Sequence, residues 1–294
     1  MSRALVLGGG GPVGIGWEAG LLVGLAAKGV HMVGADLIVG TSAGSVVGSR
    51  LAGGADLSTA VELLAGATGE VTPEANRAAV EGLQQLTAIM AEAVAAGGAT
   101  AETRARVGRM ALDAGTISEQ EYLELFAVMA GGAWPERFAC TAVDTATGAF
   151  RLWDQSAGVD LDRAVASSCA VPTVYPPVTI DGARYMDGGV RDMLNADVAA
   201  GHDIVVAVSC TLLALPEGFE DPALDAVLAA SRNQLEGLRT SGSEVATVTP
   251  GEEFLEVSEW GLNLMDFTRA PAAYEAGVRQ GTAEADRIGR AWAG

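Results

Sequence analysis

Short apolar runs alternate with helix-like segments along most of this chain. Several runs are apolar at nearly every position, and most of them end in a glycine-rich turn or lead into a segment with helical character. Such runs are typical of strands buried on both faces, and their alternation with helices favours an α/β fold with a mostly parallel central sheet and helices on both faces. The pattern predicts strands at 4–7, 36–39, 138–143, 150–153, 178–180, 204–208 and 245–248, and helices at 17–28, 221–239 and 271–292.

Residues 56–131 have a different pattern, with few strand-like runs. Apolar positions recur near helical spacing in 75–96, and 101–114 and 118–129 predict two more helices, the last opened by a capping box of Ser118 and Glu121. We interpret the stretch as a helical insertion within a single domain spanning 1–294. It would form either a lid or pocket wall over a site, or a packing layer on one face of the sheet.

Charge and cysteine content limit the partners that we expect. The net charge of −19 disfavours nucleic acid as a partner and should cause repulsion from anionic membranes. No apolar run reaches the length of a membrane-spanning helix, and the amino terminus lacks the pattern of a signal peptide. The cysteines Cys140, Cys169 and Cys210 lie in apolar surroundings and predict reduced, buried thiols. We therefore expect a cytoplasmic protein with no metal, no cofactor and at most peripheral membrane contact, in an oligomeric state that the sequence leaves open.

The first candidate chemical feature is the turn Gly40-Thr41-Ser42-Ala43-Gly44. It follows the apolar run 36–39 and precedes a helix-like segment, which is the context in which Gly-x-Ser-x-Gly indicates a nucleophile. Gly40 and Gly44 would let the strand and the helix pass close to the serine. The alternative is a glycine-rich turn in which Ser42 or Ser45 caps the helix.

A glycine cluster follows the first predicted strand. Gly9, Gly11 and Gly14 match Gly-x-Gly-x-x-Gly, a dinucleotide-binding pattern that requires an acidic residue about 20 positions further on, at the end of the second strand. The nearest candidate, Asp36, lies before that strand instead of after it. The cluster is thus also compatible with a loop that binds a different anion.

The other interpretation of this loop is an oxyanion hole, which stabilises the negative charge on a carbonyl oxygen under attack. Pro12 has no N–H group. The donors would therefore come from Gly10, Gly11, Val13 or Gly14.

A serine nucleophile needs a base, and the chain has two histidines, His31 and His202. Each precedes a predicted strand, whereas active sites of open α/β sheets lie beyond the carboxyl ends of the strands. We therefore expect both histidines to lie away from Ser42, and we do not expect a Ser-His-Asp triad.

A carboxylate would then act directly on the serine. Asp187 follows a strand-like segment and precedes Gly188 and Gly189, which allow a close approach. Asp192 is a competing candidate for the base, and Asp187 is also a common type of turn residue. Burial would raise the pKa of Asp187 above its ordinary value of about 3.9, whereas donors from the 188–189 turn would lower it. We expect an acid limb of activity well below that of a histidine-dependent hydrolase.

The three features in this order resemble the patatin-like phospholipase family. The matching segments are 9–14, 40–44 and 187–189, and 166–172 and 176–178 are similar to the family's approach to its aspartate. The resemblance implies a three-layer α/β/α fold, Ser42 as the nucleophile, Asp187 as the proton acceptor and the glycine-rich loop as the oxyanion hole. Val13 stands where the family usually has Lys or Arg.

The resulting hypothesis is a serine acyl hydrolase that acts on carboxylic esters of lipids, of the esterase, lysophospholipase or phospholipase type. Its substrate would be a lipid or another acyl ester. The alternative is a nucleotide-binding or catalytically silent regulatory module on the same scaffold, because the glycine pattern fits it and Val13 replaces the usual cation.

Overall fold

The computed structural model describes residues 1–66, 86, 88–89, 91–93, 99–130, 132–216 and 218–294. In this part of the chain, eight strands form one mixed sheet. The strands are β1 Arg3–Leu7, β2 Leu37–Gly40, β3 Phe138–Asp144, β4 Phe150–Asp154, β5 Val178–Ile180, β6 Ala183–Asp187, β7 Ile204–Val208 and β8 Glu244–Val248. The strands predicted from apolar runs are confirmed, with small differences at their ends.

The main helices of the described residues include predicted ones and three that were not predicted, at 58–66, 161–168 and 252–257. They are α1 Gly11–Ala27, α2 Ala43–Ala52, α3 Ser58–Gly66, α4 Ala101–Asp113, α5 Glu119–Met129, α6 Leu161–Ser168, α7 Pro222–Thr240, α8 Glu252–Val257 and α9 Ala270–Ala293. The capping box of Ser118 and Glu121 at the start of α5 is confirmed. Helix α1 begins six residues earlier than predicted, because Pro12 lies in its first turn, where a missing N–H breaks no helical hydrogen bond.

Five strands are parallel, in the order β8, β7, β1, β2 and β3. Antiparallel β4 pairs with one edge of β3. The two faces of the sheet pack against separate apolar clusters: Leu5 and Leu7 of β1 face the cluster with α1, whereas Ala4 and Val6 face the cluster with α7. The alternation of side chains along β1 thus places helices on both faces, and the three-layer α/β/α fold is confirmed.

Strands β2 and β6 meet end to end along the same edge of β3. The parallel pairing of β2 with β3 ends at Gly40 opposite Cys140. The antiparallel pairing of β6 with β3 ends at Asp187 opposite Ala142. Since β4 occupies the other edge of β3 over the same residues, the carboxyl ends of β2 and β6 point toward each other. The residues that follow these two strands are therefore brought together.

Helices α1 and α9 pack backbone against backbone over the sheet. A Cβ at Gly20 of α1 would overlap the carbonyl oxygen of Tyr274, and one at Gly277 of α9 would overlap the carbonyl oxygen of Trp17. This close contact buries α1 almost completely and fixes the position of the loop that precedes it.

Within 56–131, the described residues form α3, α4 and α5. The predicted helix at 75–96 lies mostly outside the described residues. Among the helices that are described, none combines the length and the apolar character needed to cross a membrane.

Candidate active site

Ser42 lies in the turn between β2 and α2 with a left-handed backbone, φ 51° and ψ −117°. Left-handed φ is unfavourable for a residue with a side chain, so the surrounding packing must hold it. A Cβ at Gly40 would overlap the carbonyl of Gly44, and one at Gly44 would overlap the carbonyl of Leu7. The turn therefore has the geometry of a nucleophile elbow, in which strand and helix pass within backbone contact.

The elbow is held by side chains around the backbone of Ser42. The Ser42 N–H donates to Oγ of Ser168 at 3.0 Å. The carbonyl of Ser42 accepts from Oγ of Ser45 at 2.7 Å and from the Cys169 thiol at 3.2 Å. Ser42 makes no capping hydrogen bond with its side chain, so the interpretation of this residue as a simple helix cap is wrong. Its hydroxyl is thereby left for other partners.

The side chain of Ser42 lies close enough to the carboxyl group of Asp187, the last residue of β6, to lower the pKa of that group. Asp187 is 5% exposed, and its Oδ1 accepts the N–H of Gly189 at 2.7 Å. The N–H of Asp187 donates to the carbonyl of Ala170 at 3.0 Å. The short segment 168–170 therefore contacts both the serine and the aspartate, and it sets the spacing between them.

Burial raises the pKa of Asp187 to about 7, and the hydrogen bonds from Ser42 and Gly189 only partly oppose this rise. The expectation that donors would keep the pKa well below the histidine range is wrong. The apolar surroundings are supplied by residues distant in the sequence, and the loss of hydration outweighs two hydrogen bonds.

Asp192, the competing candidate, has its carboxylate engaged elsewhere. Its Oδ1 accepts the N–H groups of Leu194 and Asn195 at 2.8 and 2.9 Å, and the Ser231 hydroxyl lies 3.0 Å from both carboxylate oxygens. The structure thus brings Asp187, and not Asp192, to the serine.

Both histidines lie at the amino ends of strands. His31 is exposed before β2, and His202 precedes β7 with Nδ1 3.0 Å from the carbonyl oxygen of Ala199. Ser42 follows the carboxyl end of β2, so the histidines occupy the opposite edge of the sheet, as predicted.

The glycine-rich loop lies against Ser42, since a Cβ at Gly9 would be 3.5 Å from Cβ of Ser42. Most N–H groups of the loop are engaged. Gly9 donates to Met193, Val13 donates to Leu264, and Gly14 donates to Gly10. The side chain of Val13 is fully buried in the core, so the position usually occupied by a cation contributes no charge.

The N–H groups of Gly10 and Gly11 have no acceptor within the described residues. The same is true of the N–H of Ala43, which directly follows the nucleophile. A donor at that position is a common part of oxyanion holes. Of the four donors that the sequence suggested, Val13 and Gly14 are therefore excluded, and Ala43 is a donor that sequence reasoning missed.

The side chain of Glu18 in α1 is hydrogen-bonded to the start of the glycine-rich loop. It is fully buried, its Oε1 accepts the N–H of Gly8 at 3.0 Å, and the carbonyl of Gly8 accepts the N–H of Gly44 at 3.0 Å. Burial raises the pKa of Glu18 well above its ordinary range, which favours the protonated form. The signal in the sequence was the one charged residue within the otherwise apolar stretch 11–27.

The dinucleotide pattern lacks its acidic partner in the structure. Asp36 lies at the amino end of β2, where its Oδ2 accepts the N–H of Arg3 at 2.8 Å. The glycine-rich loop lies at the carboxyl end of β1, beside β2. A strand's length therefore separates Asp36 from the loop.

A cavity of about 200 Å³ opens beside the nucleophile. It reaches from the loop to helices α3 and α5. Its lining includes Ser42, Gly11, Ile15, Leu64, Tyr122, Phe126, Met129, Cys169 and Tyr175. A largely apolar cavity next to a serine is suited to a hydrocarbon chain.

A serine in a strained strand–turn–helix elbow, a buried carboxyl group beside it and free N–H groups on a glycine-rich loop are the parts from which serine hydrolases are built. The chain matches the patatin-like phospholipase family over residues 5–200. It therefore belongs to this family. No curated protein sequence matches the chain.

Solved structures with similarity to the chain include two bacterial effectors. VipD from Legionella pneumophila matches with 14% identity and a TM-score of 0.44, over 97% of this chain and 67% of VipD. ExoU from Pseudomonas aeruginosa, solved in complex with SpcU, matches with 16% identity and a TM-score of 0.34, over 96% of this chain. The chain spans 53% of the ExoU chain.

Proposed function

We propose that this protein is a serine acyl hydrolase that cleaves carboxylic esters of lipids with a dyad of Ser42 and Asp187. The observation that carries the proposal is the strained elbow that holds Ser42 beside the buried carboxyl group of Asp187, whose pKa the Ser42 side chain lowers. Family membership supports the class of substrate.

In the first half of the reaction, Asp187 takes the proton of Ser42 as Oγ attacks the ester carbonyl carbon. The N–H groups of Gly10, Gly11 and Ala43 stabilise the oxyanion that forms. Asp187 then gives the proton to the leaving alcohol. In the second half, Asp187 accepts a proton from the water that attacks the acyl carbon. It returns this proton to Oγ of Ser42 as the bond between Oγ and the acyl carbon breaks and the acid is released. A pKa of about 7 suits a group that must both accept and donate a proton near neutral pH.

The cavity beside Ser42 is the proposed acyl site. Since a dry cavity of about 150 Å³ can hold benzene, a cavity of about 200 Å³ has room for a chain of roughly eight carbons. Phe126 and Met129 of α5 form part of its wall. This placement supports the interpretation of 56–131 as a pocket wall over the site.

Location and organisation also remain proposals. We infer a single domain over 1–294 that contains the 56–131 insertion, a cytoplasmic location and at most peripheral contact with membranes, because the net charge of −19 opposes approach to anionic lipid.

The test compares the wild type with Ser42→Ala and with Ser241→Ala, which alters an exposed serine far along the sequence. We expect turnover of p-nitrophenyl butanoate and labelling by a fluorophosphonate in the wild type and in Ser241→Ala. In Ser42→Ala, labelling should disappear and the rate should fall on the order of 10⁵-fold. Equal rates in the wild type and a folded Ser42→Ala protein would exclude the proposal.

A further inference from the structure

A second and larger cavity is lined in part by Gly189 and Met193, close in sequence to Asp187. It has a volume of about 1110 Å³, more than five times that of the cavity beside Ser42. We call it the leaving-group groove. Its wall is mainly apolar and includes Leu213, Leu215, Phe219, Leu228, Leu255 and Leu264.

The groove adjoins the base and the loop. Gly189, whose N–H donates to Asp187, lines it, and so do Met193 and Cys210. The sulfur of Met193 lies 3.1 Å from where a Cβ of Gly189 would be, and its methyl group lies 2.9 Å from where a Cβ of Gly9 would be. Met193 therefore stands at the point where the groove meets both the aspartate turn and the glycine-rich loop.

The chemistry assigns one part of the ester to each cavity. When the tetrahedral intermediate collapses, the bond between the acyl carbon and the leaving oxygen breaks, and the protonated Asp187 supplies the proton to that oxygen. The leaving group must then lie on the side of Asp187, while the acyl carbon stays bonded to Oγ of Ser42. Ser42 lines the smaller cavity, and Gly189 lines the larger one.

Resting on the proposed function, we propose that the leaving-group groove binds a long hydrocarbon chain carried by the alcohol portion of the substrate. The preferred substrate class is an ester that combines a short or medium acyl group with a large apolar leaving group.

The charged groups that line the groove are already engaged, which favours an uncharged chain. Arg191 forms an ion pair with Asp197, and Asp192 accepts bonds from its own loop and from Ser231. Arg104 donates to the carbonyls of Gly148 and Ala99.

The rim of the groove is apolar as well. Phe219, Leu224 and Trp260 line it and are exposed, with Trp260 exposed over 64% of its surface. Apolar side chains of this size at a cavity mouth provide a path by which a hydrocarbon chain leaves a micelle without crossing water.

The experiment uses two isomers, dodecyl butanoate and butyl dodecanoate, in the same neutral detergent micelles. They differ only in which side of the ester carries the long chain. We expect kcat/KM for dodecyl butanoate to be higher by at least about tenfold, because each buried methylene can contribute a factor of up to about four and dodecanoate exceeds the smaller cavity. Equal rates, or a preference for butyl dodecanoate, would overturn the assignment.

Two tryptophan variants test whether the preference for dodecyl butanoate arises in the leaving-group groove. Ala226→Trp on α7 fills the groove, whereas Glu236→Trp places the same side chain on an exposed site of the same helix outside it. Ala226→Trp should lower the ratio of dodecyl butanoate to p-nitrophenyl butanoate turnover by about tenfold, and Glu236→Trp should leave both rates unchanged. An equal fall of this ratio in both variants would contradict the location.

The outcomes separate the two proposals. If neither isomer nor p-nitrophenyl butanoate is hydrolysed, the proposed function fails. If p-nitrophenyl butanoate is hydrolysed in a Ser42-dependent manner while the isomers show no preference for the long alcohol, the function stands and the groove assignment fails.

Discussion

Asp187 and Asp192 lie in consecutive turns and differ mainly in the donors that bond to their carboxylate oxygens. Each is 5% exposed, and burial raises the pKa of both carboxyl groups. The Asp192 carboxylate is bonded by two N–H groups of its own loop and by the hydroxyl of Ser231. The Asp187 carboxyl group accepts one backbone N–H, from Gly189, and lies beside the side chain of Ser42, which lowers its pKa.

The difference separates a structural carboxylate from a reactive one. Donors that belong to a loop stabilise that loop and hold the carboxylate as an acceptor, as at Asp192. A base must instead point at the proton that it removes, and its charged form must not be stabilised too strongly. Burial with few donors meets this requirement at Asp187.

The largest expected effect comes from exchanging the two aspartates separately for Asn. Asp187→Asn retains the shape and one acceptor oxygen but loses the base, so kcat/KM should fall on the order of 10²–10⁴-fold. Asp192→Asn retains an oxygen that can accept the N–H groups of Leu194 and Asn195, so we expect less than about a tenfold loss. Steady-state kinetics on p-nitrophenyl butanoate measures both. A greater loss of kcat/KM in Asp192→Asn than in Asp187→Asn would mean that Asp192, and not Asp187, acts as the base.

The second effect is on the pH profile. With a pKa of about 7, Asp187 should be protonated in acid, and kcat/KM should fall about tenfold per pH unit below that value. The control is His202→Ala, which should keep the same midpoint because His202 lies at the opposite edge of the sheet. A midpoint near 4 would show that Asp187 is not perturbed, and a midpoint that disappears in His202→Ala would implicate the histidine.

The third effect is on stability. The folded-state pKa of Asp187 is raised, so between about pH 4 and 7 the native state binds a proton that the unfolded chain has released. The unfolding free energy therefore falls as pH rises through this window. Asp187→Asn removes this dependence and should be more stable than the wild type at pH 8, by at most about 4 kcal/mol, with little gain at pH 4.

Urea unfolding at the two pH values measures this difference. Asp113→Asn, at an exposed position, serves as the control and should behave as the wild type at both. A gain of equal size at pH 4 and pH 8 would mean that the stabilisation does not come from the ionisation of Asp187.

Local patterns were enough to predict the elements and the motif residues. The turn of Gly40, Ser42 and Gly44 could be predicted from residues within a few positions, because strand, turn and helix preferences are short-range. Contacts with the distant Leu7, Ser168 and Cys169 then hold it in the folded protein. The capping box at Ser118 is similarly local. Such features can be predicted because the atoms that determine them are neighbours along the chain.

The pKa of Asp187 and the choice of oxyanion donors could not be predicted in this way. The pKa depends on burial by distant segments, including Ala170, which also accepts the N–H of Asp187. Val13 and Gly14 were excluded as donors by contacts that include the carbonyl of Leu264, some 250 residues further on. A pattern of glycines indicates where N–H groups can converge, but not which of them are already bonded.

The sequence by itself therefore determined the α/β class, the strands and most of the long helices, and it predicted the serine, the aspartate and the glycine-rich loop of the proposed site. Only the tertiary structure decided that β2 and β6 end toward each other on one edge of β3, which brings Ser42 to Asp187. It also decided the sizes of the two cavities. The physical reason is that strand pairing and the exclusion of water depend on segments far apart in the chain. A local sequence pattern does not show which of these segments will pack together.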